Sequence, residues 1–180
     1  MPRLFVALRP PLPVRGALAA TYGGVEGARW QDDEQLHLTL RFIGEIDRYT
    51  AEDLAAALAS VSAAAFALQI RGSGHFERRG KPAALWAALA PSAPLVRLHA
   101  QIERACRSAG IAPEPRKFVP HVTLARLGGR ATGAGEWLSR HGDLRAPEWP
   151  VGAFGLYEST LHPGGSRYTA VADWPLQGRE

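Results

Sequence analysis

The chain has 180 residues, 46% of them hydrophobic and 21% charged, which is the make-up of an ordinary globular protein able to bury a core. No apolar run approaches the ~20 residues of a membrane-spanning helix, and the short run LFVAL, closed by Arg9 and Pro10, cannot serve as a secretory signal. The formal net charge of +4 favours an anionic partner, either nucleic acid or a phosphorylated small molecule.

Residues 3–8, RLFVAL, are apolar and β-favouring and stop before Pro10, which predicts a strand. Val14, Leu18 and Tyr22 recur at spacing four, so residues 13–22 read as a short amphipathic helix. EGARW leads into QLHLTLRFIGE, an alternating strand that turns at Gly44. Residues 50–64 open with the cap-like pair Thr50 and Asp53; Leu54, Leu58 and Val61 then keep helical spacing. Residues 66–76, FALQIRGSGHF, read as a strand running into a glycine-containing turn. FERRGK (76–81) is the densest basic cluster and reads as a solvated loop.

The second half repeats this coarse order. PAALWAAL is a strand. Leu95, Leu98, Ile102 and Ala105 share one face of a helix that Gly110 stops. KFVPHVTLARL is a strand and GEWLSRHGDL a shorter helix. VGAFGLYESTLH and SRYTAVADW read as antiparallel strands joined at PGG. No linker separates the halves, so residues 1–180 are expected to form one domain of two closely packed lobes.

The lone cysteine, Cys106, permits no internal disulfide, and a cytoplasmic location is the default expectation. It falls among apolar neighbours on a helix and reads as a packing residue.

One pattern occurs twice, in LHLTLRF (36–42) and PHVTLAR (120–126), about half the chain apart. Strand side chains alternate. Leu36, Leu38 and Leu40 therefore share one face, while His37 and Thr39 share the other. In the second copy Val122 and Leu124 oppose His121 and Thr123. Each strand buries an apolar face and presents an imidazole beside a hydroxyl. If the lobes are related by a pseudo-twofold, the two polar faces meet across one cleft.

An imidazole gives or takes a proton near neutrality. One neutral and one protonated ring on opposite sides of a phosphodiester can act as general base and general acid together. Threonine hydroxyls can donate to the phosphate oxygens where charge builds. A metal site is the other sharp use of two histidines, but catalytic zinc wants three protein ligands and neither motif brings a third. The chain has no G-x-G-x-x-G, no G-x-x-x-x-G-K-[ST] and no G-x-S-x-G. His75, His99, His141 and His162 read as structural or solvated, with only His75 placed to approach the cleft.

The paired motifs, together with RLFVAL, HLTLRFIGE, the LW strand, LYESTL and RYTAVADWPL, resemble the two-histidine phosphoesterase superfamily. More narrowly, the sequence is similar to the bacterial and archaeal RNA 2′,3′-cyclic phosphodiesterases, also called 2′-5′ RNA ligase-like proteins. That resemblance implies a bilobal, pseudo-symmetric α+β fold, with two antiparallel sheets facing each other across a central cleft and helices outside. It implies metal-independent hydrolysis of an RNA 2′,3′-cyclic phosphate end to a 2′-phosphate, with 2′-5′ ligation as the reverse. No cofactor is implied, and the expected partner is RNA or a nucleotide with a 2′,3′-cyclic phosphate. A monomer with no membrane association is expected.

Carried onto matching positions, the resemblance makes His37 the proton donor to the leaving 3′-oxygen and His121 the acceptor that activates water. Thr39 and Thr123 hold the phosphate. Spacing alone does not say which histidine does which. Arg41 and Arg126 are secondary candidates for substrate contact; by strand parity Arg41 shares the histidine face and Arg126 does not, unless its strand bends. Phe42 and Tyr157 sit where aromatics could stack on a base but are more often core. Two alternatives stay open: the same chemistry on a small cyclic nucleotide, or a binding module without catalysis, which the presence of both histidines and both threonines disfavours.

Overall fold

The alternating and helical patterns become ten strands and four helices in the computed structural model, which describes residues 1–177. In chain order these are β1 (Arg3–Leu8), α1 (Leu12–Ala19), β2 (Glu26–Trp30), β3 (Leu38–Glu45), α2 (Arg48–Ala59), β4 (Phe66–Leu68), β5 (Ile70–Arg78), β6 (Lys81–Leu89), α3 (Ala93–Ser108), β7 (His121–Thr132), α4 (Ala134–Arg140), β8 (Trp149–Val151), β9 (Ala153–His162) and β10 (Gly165–Pro175). The class is α+β, as expected.

Two antiparallel halves make the large sheet. One has the order β10-β9-β1-β3; the other is β5-β6-β7, with β2 added on β7. Each half borrows from the far end of the chain: β9 and β10 complete the half begun by β1, and β2 crosses to the half built on β7. The halves are joined by one bridge, Leu38 to Val122, so the two expected sheets form one eight-stranded sheet with a single-residue joint. β4 and β8 pair separately.

The helices bury their apolar stripes against the sheet. Val14 and Leu18 of α1, Leu54 and Leu58 of α2, Leu98 and Ile102 of α3, and Trp137 of α4 belong to one core with Leu38, Leu40, Val122 and Leu124. Burying each such large side chain contributes roughly 1.5–3 kcal/mol. This core holds the apolar faces of β3 and β7 and leaves their polar faces to the cleft.

Local boundaries differ from expectation for identifiable reasons. α2 begins at Arg48 because Asp47, not Thr50, is its cap: Thr50 donates its N–H (3.0 Å) and its hydroxyl (2.7 Å) to the Asp47 carboxylate. The glycines of 70–76 do not end a strand; β5 runs through them to Arg78. Gly74 is there because the Trp86 ring lies flat across it. A Cβ at position 74 would stand 2.3–2.7 Å from three ring carbons. FERRGK forms the end of β5 and its tight turn into β6, with Arg79 at φ 53. β7 starts at His121 rather than Lys117, and the segment before it is irregular.

Candidate active site

The single bridge between the halves fixes the geometry of both repeated motifs. Leu38 and Val122 are the residues between histidine and threonine in each copy. In antiparallel pairing the residue before one member of a bridged pair faces the residue after the other. His37 therefore stands across from Thr123, and Thr39 across from His121. A cavity of about 180 Å³ opens there, lined by His37, Thr39, Phe42, Thr123 and Arg126 among others. His121 begins β7 two residues before Thr123, on the same face. Its ring packs edge-on against Phe76 (4.8 Å between centroids) and tilted against Trp86 (5.7 Å), beside the cavity rather than among its lining residues. A larger groove of about 680 Å³, between β4 and the start of α3, contains no histidine.

Both strands carry a bulge at the same offset, and this exchanges the two arginines. Along β3, pairing with β1 steps from Ala7–Thr39 to Val6–Arg41, which leaves Leu40 as an extra residue. Along β7, pairing with β6 steps from Trp86–Thr123 to Leu85–Ala125, leaving Leu124 extra. A bulge turns two successive residues to one side. Leu40 and Arg41 thus both face the interior, as do Leu124 and Ala125. The fifth residue after each histidine, Phe42 and Arg126, returns to the cleft.

Arg41 is therefore buried and does not line the cavity. Its guanidinium pairs with Glu103 of α3 and with Glu114 (3.6 Å), and donates to the carbonyls of Phe42 (2.9 Å) and Ala112. It ties β3 to α3 and to the segment that leads into His121. Arg126, which simple parity turns away, is the arginine that faces the cleft.

The two imidazoles differ. His121 Nδ1 lies 2.6 Å from the Val119 carbonyl, which can only accept, so Nδ1 carries the proton and Nε2 keeps a lone pair. Neither His37 nitrogen has a well-formed partner, although the Gln35 carbonyl lies close enough to favour the charged ring slightly. Burial pushes the His37 pKa down to about 4, and the Arg9 and Arg15 charges add to the effect. Burial also lowers the His121 pKa below its usual value; the Val119 bond opposes this and the Arg126 charge reinforces it.

Each ring is backed by an aromatic that rests on a glycine. His37 meets Tyr157 edge-on at 4.8 Å, with Phe5 and Tyr168 near it. A Cβ at Gly155 would come within 2.8 Å of the Tyr157 ring. His121 has the same relation to Trp86 and Gly74. Sequence reasoning missed this aromatic seat, and also missed Arg3, Gln31, Gln35, Ser159 and Ser166 on the cavity wall. The one available signal was strand parity from Trp30 to Gln31. Phe42 lines the cavity and Tyr157 packs on His37. His75 pairs across from the core residue Leu85 and contacts Glu77 (3.2 Å), away from the cleft.

Comparison with known proteins agrees with this architecture. The family model of the 2′-5′ RNA ligase superfamily matches residues 15–162. An RNA 2′,3′-cyclic phosphodiesterase of Aeropyrum pernix is 35% identical over 143 residues, covering 78% of this chain and 81% of that one. One from Thermus thermophilus is 34% identical over 191 residues, covering 98% and 91%. Among solved structures, Escherichia coli LigT complexed with 3′-AMP superposes with a TM-score of 0.80 at 25% identity, covering 97% of this chain and 98% of LigT.

Proposed function

The chain belongs to the 2′-5′ RNA ligase superfamily, and we propose that it is an RNA 2′,3′-cyclic phosphodiesterase whose proton transfers are carried by His37 and His121. The observation that carries this reading is the Leu38–Val122 joint, which brings the two His-x-Thr motifs together, with His37, Thr39 and Thr123 lining the cavity and His121 beside it.

The step balances with these groups alone. Water attacks phosphorus of the cyclic phosphate and loses its proton to the free Nε2 of His121. The bond from phosphorus to the 3′-oxygen breaks, and His37 gives that oxygen a proton. The product is a 2′-phosphate with a free 3′-hydroxyl. Thr39 and Thr123, half-buried on the cavity wall, donate to the non-bridging oxygens as negative charge grows there. Arg126 adds a positive charge beside them. In the free protein burial holds His37 neutral; an anionic phosphate entering the cavity favours its charged form and arms it as the acid.

All of these groups come from one chain, so the site needs no second copy, and we read the protein as a monomer. The buried Cys106, whose thiol pKa burial pushes up to about 11, fits a packing role and a cytoplasmic setting. No helix among the described residues is long and apolar enough to cross a membrane.

The test is product analysis. A short RNA ending in a 2′,3′-cyclic phosphate is incubated with the protein and followed by ³¹P NMR. Appearance of the 2′-phosphate monoester supports the reading; an unchanged cyclic signal, or a 3′-phosphate product, contradicts it.

A further inference from the structure

Arg29 and Arg126 are direct cross-strand partners where β2 pairs with β7. Cross-strand partners share one face of a sheet, so Arg29 stands on the cleft side with Arg126. Alternation along β2 agrees. Gln31 lines the cavity, Trp30 turns the other way onto Tyr22 and Trp137, and Arg29 returns to the cleft side. Like charges set directly opposite each other destabilise a sheet. Both arginines are exposed, and among the described residues neither enters an ion pair. The row continues through Ala84 to Phe76, whose ring touches His121. Two arginines opposite each other across paired strands, without an ion pair, one of them lining the cavity, make a site for an anion.

We propose that Arg29 and Arg126 together hold the phosphodiester that precedes the cyclic phosphate, so that the site takes the 3′ end of an RNA chain in preference to a mononucleotide. This rests on the cyclic phosphodiesterase reading of the cavity. The Arg126 row lies two strand steps, about 7 Å, beyond the Thr123 row, because the bulge absorbs the third residue. Arg126 stands between the two phosphates, and its charge already acts on His121. Arg29, one strand further out, reaches only the outer one. A guanidinium offers paired N–H donors to a phosphate, and an anion between the two removes their repulsion. A mononucleoside cyclic phosphate has nothing to place there.

The experiment compares uridine 2′,3′-cyclic phosphate with a tetranucleotide ending in the same cyclic uridine. Kinetics are measured for the parent protein, Arg29→Ala and Arg29→Lys at several salt concentrations. The parent is expected to favour the tetranucleotide by about tenfold in kcat/KM, the value of one charged contact. Arg29→Ala should lose that factor through KM, with kcat kept and the mononucleotide unaffected. Arg29→Lys should keep most of it. The slope of log KM against log salt should fall by about 0.7 in Arg29→Ala, one phosphate on a single strand. Its melting temperature should equal or exceed the parent's, because a repulsion is removed.

Equal kcat/KM on both substrates in the parent, or an Arg29→Ala protein slowed equally on both, overturns the proposal. If the parent turns over neither substrate, the phosphodiesterase reading fails, and the subsite is judged by titration with the two 2′-phosphate products. Tighter binding of the tetranucleotide product, lost in Arg29→Ala, supports the subsite; equal binding of the two products overturns it.

Discussion

Leu38 and Val122 form the one bridge between the halves of the eight-stranded sheet, and each is flanked by its motif's histidine and threonine. Both are fully buried. Leu38→Ala is expected to cost about 2–5 kcal/mol, as the lost burial and the remaining cavity add. It should also lower turnover, since the joint sets the two motifs against each other. Urea unfolding and single-turnover rates check this. A variant that is destabilised yet fully active in its folded fraction would show that the joint does not position the site.

The glycine seats make a second test. Gly74→Ala forces the Trp86 ring off its place, and overpacking of this kind costs about 1–3 kcal/mol. If the seat matters only through that ring, adding Gly74→Ala to Trp86→Leu should change nothing further, in stability or in rate. The His121 imidazole, followed by NMR titration, should titrate closer to its usual value in Trp86→Leu, because part of its burial is gone. An unmoved His121 titration would remove the aromatic seat from the account.

The two arginines should separate stability from activity. Arg41 is buried against Glu103, so Arg41→Met strands that carboxylate, while Glu114 keeps Arg116, and the change is expected to cost about 3–5 kcal/mol. Arg126→Ala removes an exposed cation and should leave the melting temperature near the parent's while raising KM. The reverse result, a stable but inactive Arg41→Met protein, would restore the parity assignment.

Acid should weaken the fold through the histidines. Burial lowers the pKa of His37, His121 and His99 in the folded state, so the unfolded chain binds more protons as pH drops. Their contribution is complete above pH 6.5 and is lost as pH falls; for His37 the loss ends near pH 4. Its size for His37 is on the order of 3 kcal/mol. Denaturation midpoints between pH 7.5 and 4.5 should fall, and fall less in His37→Gln. Since kcat/KM reports the free enzyme, its optimum should lie on the acid side of 6.5, with that of kcat higher because bound phosphate favours the imidazolium.

Much of this was legible in the sequence because it is written in periods of two and near four. The α3 stripe and both His-x-Thr faces follow from spacing, and the strands of RLFVAL and PAALWAAL from their runs of apolar residues. What failed was local and had one cause. A bulge adds a residue that no pattern announces, so parity held through Thr39 and Thr123 and then inverted, exchanging Arg41 for Arg126. Gly74 was equally hidden: from the sequence it reads as a turn, and only the cross-strand Trp86 gives it its reason. The pairing of β2 with β7, which creates the Arg29–Arg126 contact, joins residues too distant in sequence for any local signal.

The central claim is that His37 and His121 act as one acid–base pair. The direct measurement is the turnover of a short RNA with a 2′,3′-cyclic end by the parent protein, His37→Ala, His121→Ala and the double variant, each shown to be folded and each assayed with and without a chelator. Each single replacement should lose roughly 10²–10⁴-fold. The double should lose little more, because neither ring completes the displacement alone. Chelation should leave the parent almost unchanged. A His37→Ala protein as fast as the parent, or losses that simply multiply in the double variant, would contradict the account.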